Sequence, residues 1–364
     1  MLKSRISNGQ ILLLLITLVA STAWLFLPAV TTMHAKQDAW ISVLIHPTLY
    51  GVAVVWVNSS LAQYFGDKTF GRYVQMLLGK PLGILVGSSY LGFLLLLTMI
   101  ITREFGEFLN TAFMPETPIQ VFNLTLILLA AYAVYHGIEV ICRINQWIFP
   151  LMLVSFLFIT FATLPVAKLA NLLPVMSEGL YPVLRGSFAP SAFRGEVFLV
   201  LFLVPYAKEA EKTKFYGAVA VILLGIILAL DVLIHIIVLG SDLSANLTFP
   251  TFILARYVQI GIFERMEALV MVTWVAGVIV KLSIFYYAAF SCIKDCIKVR
   301  KTSWILLTTS LILYFGSLYI FTNVLELFQF IDKHLPLLAS IFELIIPLTL
   351  LVIAKFRLIG GKTY

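Results

Sequence analysis

Two charged residues stand where the surrounding sequence should exclude them. Glu196 follows Gly195 and opens the apolar run 197–204, and Lys281 lies between Val278-Ile279-Val280 and Leu282-Ser283-Ile284-Phe285. A charge at membrane depth is expensive, roughly 2.5 to 3.5 kcal/mol for a lysine on insertion scales. Such residues therefore face protein or a water-filled cavity and mark candidate sites. Glu196 reads in two ways. It is either the polar wall of a site at a helix break, or a residue at headgroup depth that starts a helix, where a negative charge suits the dipole. Lys281 lies far from a helix end, because the basic edge of its segment begins only at Lys294, so its stem does not readily carry the ammonium to the interface. We read it as an inward-facing ammonium that takes the place of a coupling cation, or that titrates. The bland alternative is a structural ion pair with Glu196 or Asp231. Asp231 and His235 share one helix face and either relay protons or satisfy each other. In the first apolar run, Ser21, Thr22 and Ala23 permit close helix packing or a local unwinding that exposes backbone N–H groups to a ligand carboxylate.

The elements that must position these residues are membrane helices. The chain has 364 residues, 61% of them hydrophobic and 12% charged, with a mean hydropathy of +1.01. Soluble domains carry about 25% charged residues, so the fold class is an all-α polytopic membrane protein. The formal charge of +7 then reports orientation and does not call for nucleic acid. Ten helices are predicted, at 10–33, 39–64, 81–110, 118–135, 143–164, 189–205, 215–240, 264–297, 304–323 and 335–354. The sixth is interrupted: its uninterrupted apolar part, 197–204, is far shorter than the roughly 20 residues a span requires. The stretch 165–190 is expected along the interface. Lysine and arginine gather on the side of the two termini, which places both in the cytoplasm. Arg103, Arg185, Arg194 and Arg265 go to the other side. There Arg103, Glu104 and Glu107, and likewise Glu264, Arg265 and Glu267, read as ion-paired, partly solvated clusters. No cleavage site follows the first apolar run, so it is not expected to be a removed signal. Cys142, Cys292 and Cys296 fall near cytoplasmic helix ends and are expected as free thiols.

Ten helices divide as five plus five, and because five is odd the second set enters from the opposite face. We therefore expect one transmembrane domain over 1–364, with an inverted repeat of about 7–164 and about 191–356 around the interfacial segment of about 165–190. Helices 1 and 6 hold matching positions, and both carry interruptions, the pattern that points to a midplane binding site. The candidate ligand-binding residues are Ser21, Thr22, Ala23, Gly195 and Glu196, with Lys281, Asp231 and His235 as coupling or structural charges. The histidines lack metal-ligand spacing, and no phosphate loop or Ser-His-Asp constellation is present. Neither a cofactor nor an enzyme is expected.

Four stretches together resemble the spore germination permease family, the B-type subunits of bacterial spore germinant receptors. They are Gln37-Asp38-Ala39-Trp40, the stretch from Leu173-Pro174 to Pro182, Gly195-Glu196, and Phe263-Glu264-Arg265-Met266-Glu267 running on to Trp274. The resemblance implies the LeuT-like fold of the amino acid–polyamine–organocation superfamily, with helices 1 and 6 broken at the site. It further implies a small germinant, most often an amino acid, and assembly with A-type and C-type subunits in the spore inner membrane. Such proteins often have glycine in the middle of helix 1, where this chain has Ser21-Thr22-Ala23. A proton- or cation-coupled amino acid transporter needs the same broken helices and stands as the alternative. A water or ion channel subunit stands as a third reading.

Overall fold

In the computed structural model, residues 5–256, 267–296 and 302–359 are described. The cluster around Glu264 and Arg265 lies outside them. Nine segments are long and apolar enough to cross a membrane among the described residues. The first, Asn8–Tyr64, has 57 residues, about 85 Å of helix at 1.5 Å per residue, which is far more than one bilayer. A 3-10 turn at Lys36–Asp38 divides it into two crossings, so the described chain makes ten.

These are α1 (Asn8–Ala35), α2 (Ala39–Leu44, continued by His46–Tyr64), α3 (Lys80–Ala112), α4 (Ile119–His136) and α5 (Ile138–Thr163). The second five are α6 (Phe188–Gly195, then Val200–Leu203), α7 (Thr213–Leu239), α8 (Glu267–Cys296), α9 (Thr302–Tyr319) and α10 (Leu335–Ser340, then Ile346–Ile359). The predicted fifth helix begins earlier than expected, at Ile138. Three short surface helices were not anticipated: Phe70–Leu78, Ser241–Asn246 and Val324–Lys333. Phe70–Leu78 buries Phe70, Tyr73, Val74 and Leu77 and leaves Arg72 and Met76 outward. That is the amphipathic spacing of a helix lying on a surface.

Burial separates a central group from a periphery. The window around α6 is 94% buried and that of α8 is 72% buried, against 28% for α4, α5 and α9. Outer helices such as α5 turn Trp147, Leu151, Val154 and Phe161 outward, where acyl chains are the natural solvent. The central helices approach closely where side chains are small. A Cβ on Gly277 of α8 would lie 2.7 Å from Met152 Sδ of α5 and 2.8 Å from Ser21 Oγ of α1, so only glycine lets the three meet.

Two expectations about interruptions separate here. α6 is interrupted as expected: Phe188–Gly195 ends in a 3-10 turn, Glu196–Leu199, before Val200–Leu203 resumes. The backbone is overwound there and stays in the helical region, with Gly195 at φ −70°. α1 corrects the other expectation, because it is one continuous helix through Ser21, Thr22 and Ala23. The reason is local. The Ser21 hydroxyl donates to Thr17 O on its own helix, and Pro28 breaks nothing because the carbonyl it frees, Trp24 O, accepts from Thr251 Oγ1 at 2.7 Å. Thr31 and Thr32 donate to Leu27 O and Pro28 O at 2.7 and 2.5 Å. Hydroxyls thus hold the helix together where they were expected to let it open. α1 and α6 are also tied at one end, since Ile6 pairs with Tyr206 and Lys208 by backbone bonds of 2.9 Å.

Candidate functional site

The turn at Glu196 sets the geometry of the site. Its carboxylate, carried on α6, faces α8 and receives both contacts of the Lys281 ammonium, Nζ to Oε1 at 2.8 Å and to Oε2 at 2.6 Å. The third proton of the ammonium goes to Thr22 Oγ1 of α1, at 2.6 Å. Lys281 is fully buried and Glu196 nearly so. The rings of Phe193 and Phe285 flank the ammonium, 5.6 and 5.7 Å from their centroids, a cation–π distance. Three helices that are remote in sequence are thus bound through one lysine. Its alternatives of snorkelling and of pairing with Asp231 are both set aside by this contact.

Ser21, Thr22, Ala23, Gly195 and Glu196 all lie in the buried centre, but only Thr22 and Glu196 touch Lys281 among them. Ser21 faces Gly277. Asp231 and His235 do not join the cluster. His235 Nδ1 donates to Asp231 O at 2.7 Å and lies 3.5 Å from Asp231 Oδ1, and the Asp231 carboxylate accepts from Trp24. They join α7 to α1 through Trp24, and Asp231 Oδ2 and His235 Nε2 have no hydrogen-bond partner among the described residues.

Three residues of this centre were missed. Glu343 of α10 is buried, and its Oε2 accepts from Tyr50 O–H at 3.0 Å. It belongs to a π-helical turn, Ile341–Ile345, a bulge that re-aims side chains and is frequent at functional sites. Two carbonyls of that turn accept from other helices, Phe342 O from Tyr90 O–H at 2.6 Å and Glu343 O from Asn58 Nδ2 at 2.8 Å. A Cβ on Gly195 would fall on Glu343 Oε2, so the glycine makes room for this carboxylate. Glu104 of α3 is buried too, and its Oε1 has no hydrogen-bond partner among the described residues. The expected solvated cluster is thereby corrected: Arg103 and Glu107 pair at 2.7 Å, while Glu104 turns to the core. Arg194 corrects the assignment to the outer edge. It is fully buried, its stem lies against Gly51 of α2, and Nη1 donates to Val221 O of α7 at 3.0 Å. A charge beside Gly195 was the available signal. For Glu343 the signal was a lone acid inside an apolar run, and a helical reading without the π turn gave it no partner.

A family model described as "Spore germination protein" matches residues 5–325. The chain belongs to this spore germination protein family. Among its relatives, spore germination protein KB of Bacillus subtilis (strain 168) is 28% identical, over 98% of this chain and 96% of that one. Spore germination protein YndE of the same organism is also 28% identical, over 99% of each chain. The fold is shared with solved transporters of the LeuT type. MhsT in complex with L-phenylalanine superposes with a TM-score of 0.72 at 14% identity, covering 99% of this chain and 91% of that one. Mhp1, a nucleobase-cation-symport-1 family transporter in a closed conformation with bromovinylhydantoin bound, gives 0.66 at 14% identity, over 94% and 78%. The solved structures fix the LeuT-like architecture that the family resemblance implied and that the five-plus-five hydropathy pattern fits. Family membership makes the chain a membrane germination protein of the permease type.

Proposed function

We propose that the chain is the B-type membrane subunit of a spore germinant receptor and that it binds a small zwitterion, an amino acid, at the Glu196 turn. The observation that carries this reading is the buried Glu196–Lys281 pair held against Thr22. A buried ion pair is poor value as a structural device, since apolar residues of like volume often stabilise as well. It is well suited to exchange. An amino acid brings one ammonium and one carboxylate, so it can enter between the two side chains, placing its ammonium on Glu196 and its carboxylate on Lys281, without leaving either charge unmatched. Phe193 and Phe285 supply an apolar wall for the ligand side chain.

In this reading the repeats run over about 7–164 and 191–356, both termini are cytoplasmic, and the protein sits in the spore inner membrane with A-type and C-type partner subunits. Binding at the turn repacks α6 against α1 and α8, and the partners respond to that movement. A second reading, a proton- or cation-coupled amino acid transporter, is favoured by the solved neighbours, which are transporters, and by an ammonium lodged where a coupling cation would act. The test is thermal unfolding of the purified protein against a panel of amino acids, because a ligand stabilises the state it binds. A raised melting temperature with one or a few amino acids, absent in Lys281→Ala, is expected. No shift with any of them refutes the reading. Uptake of the stabilising amino acid into proteoliposomes separates the two: binding without uptake marks a receptor, and gradient-driven uptake a transporter.

A further inference from the structure

We propose that Glu343 is a proton-binding site that opens, through Tyr50, to a water-accessible cavity on the face opposite the termini. The cavity has a volume of about 480 Å³, and its lining includes Tyr50, His46, Ser191, Arg185, Asp332 and Ser340. It lies near the far end of α1, where His34 Nε2 meets Asp332 Oδ1 at 2.8 Å. Tyr50 belongs to both compartments. It lines this cavity, and its O–H donates to Glu343 Oε2 at 3.0 Å.

Charge counting requires a proton somewhere in this centre. Glu104, Glu196 and Glu343 interact electrostatically with a single ammonium, that of Lys281. Arg194, the other buried cation of the centre, turns to Val221 O of α7, and even with it counted the three carboxylates outnumber the cations, so in a dry, low-dielectric interior a carboxyl group holds hydrogen. The partners decide which. Glu196 has both oxygens on Lys281. Glu104 has an oxygen without a partner among the described residues and is not among the residues that line the cavity. Among the described residues Glu343 has no ion pair and one phenol, Tyr50, and that phenol reaches the cavity. The ionisable groups facing Glu343 are Tyr50 of α2, Glu196 of α6, Lys281 of α8, and Tyr90 of α3, which holds the neighbouring carbonyl. The parts of α10 that flank the turn add only the Ser340 hydroxyl at the cavity wall.

Transfer is balanced at every atom. Tyr50 O–H passes its proton to Glu343 Oε2 while its oxygen takes one from a hydronium ion in the cavity, which is left as water, so the phenol is unchanged and the carboxylate becomes a carboxylic acid. Glu343 lies against Gly195, next to Glu196. Its negative charge repels Glu196 and competes for Lys281, so ionised Glu343 loosens the pair and protonated Glu343 leaves it closed. Protons from the far face thus govern how readily the pair opens. That last step rests on the proposed ligand site; the proton site does not.

The probe is the infrared carbonyl stretch of a protonated carboxyl group, recorded on the purified, membrane-reconstituted protein in acid and in alkaline buffer. A band that fades in alkali, and that Glu343→Gln loses, is expected. Tyr50→Phe should keep the band but slow its hydrogen–deuterium exchange by roughly a hundredfold, the scale of one positioned proton-transfer group. An unchanged band in Glu343→Gln assigns the proton to another buried carboxyl group, Glu104, Glu196 or Asp231, and overturns the proposal. Unchanged exchange in Tyr50→Phe overturns the route. A titrating Glu343 band with no amino acid stabilising the protein would sink the ligand reading and leave the proton site standing. Stabilisation without the band does the reverse.

Discussion

Two buried pairs of opposite ionisable side chains, Asp231–His235 and Glu196–Lys281, are built differently. Asp231 and His235 sit four residues apart on one helix, joined by a bond from the imidazole to the backbone of Asp231 itself. Glu196 and Lys281 are 85 residues apart, on α6 and α8, and bind a third helix through Thr22. The first pair is local to α7, with Trp24 of α1 as an outside partner, and Asp231 Oδ2 and His235 Nε2 have no hydrogen-bond partner among the described residues. The second exists only while three helices keep their places. A charge pair that couples separate elements at a helix break is one that a ligand can open, whereas a local pair only stiffens.

The strongest way to break this contrast is Lys281→Ala. It leaves Glu196 buried without its cation, and unfolding should become easier by about 3–5 kcal/mol. All stabilisation by amino acids should vanish as well, while the protein still inserts. A full ligand-induced shift in this variant would remove Lys281 from the binding step. Thr22→Val sharpens the same point. It removes one hydrogen bond to a charged group, with an expected loss of about 1.5–3 kcal/mol and weaker ligand binding, measured by the same melting experiment.

Gly195→Ala tests whether the third carboxylate matters. The backbone at φ −70° accepts alanine, so the effect is steric: the new methyl falls on Glu343 Oε2. Overpacking of this kind typically costs about 1–3 kcal/mol. Shortening the acid in Gly195→Ala with Glu343→Ala should recover part of the loss. If the double variant is no better than the sum of the singles, the two positions do not share that space.

How much of this was legible in the sequence follows from the same physics. The ten crossings, the interruption at Glu196 and the inward-facing position of Lys281 were readable because apolar run length and a charge in hydrocarbon are strong, one-dimensional signals. The continuity of α1 was not, since Ser21 and its neighbours look alike whether a hydroxyl closes its own helix or lines an open one. Thr251, which satisfies Trp24 O beside Pro28, is 227 residues away, and no local pattern reports it. Glu343 was hidden by a π turn that only packing against Tyr90 and Asn58 selects. Arg194 was misplaced because an arginine beside a polar turn resembles a helix end, while its stem runs between Gly51 and Val221.

On the other side of the comparison, Asp231→Asn should be mild. Asparagine keeps an oxygen for the Trp24 indole, and the His235 bond goes to the backbone carbonyl. A change within about 1 kcal/mol is expected, with the ligand-induced shift unaltered. Loss of the shift would make Asp231 a member of the coupling chain after all.

The smallest effect is expected at Ser21→Ala, next to a residue whose loss is costly. Ser21 Oγ donates to Thr17 O, one turn back on the same helix, and that carbonyl already sits within α1. A serine bonded in this way bends or slightly weakens a helix, and alanine has the higher intrinsic propensity by up to about 0.7 kcal/mol. Stability should therefore stay level or rise slightly, and the amino acid shift should persist. Thr22→Val in parallel fixes the meaning of the result. If both neighbours lose the ligand shift, α1 opens at this level when the ligand enters and contributes backbone; if only Thr22→Val does, α1 stays a rigid wall and the movement belongs to α6.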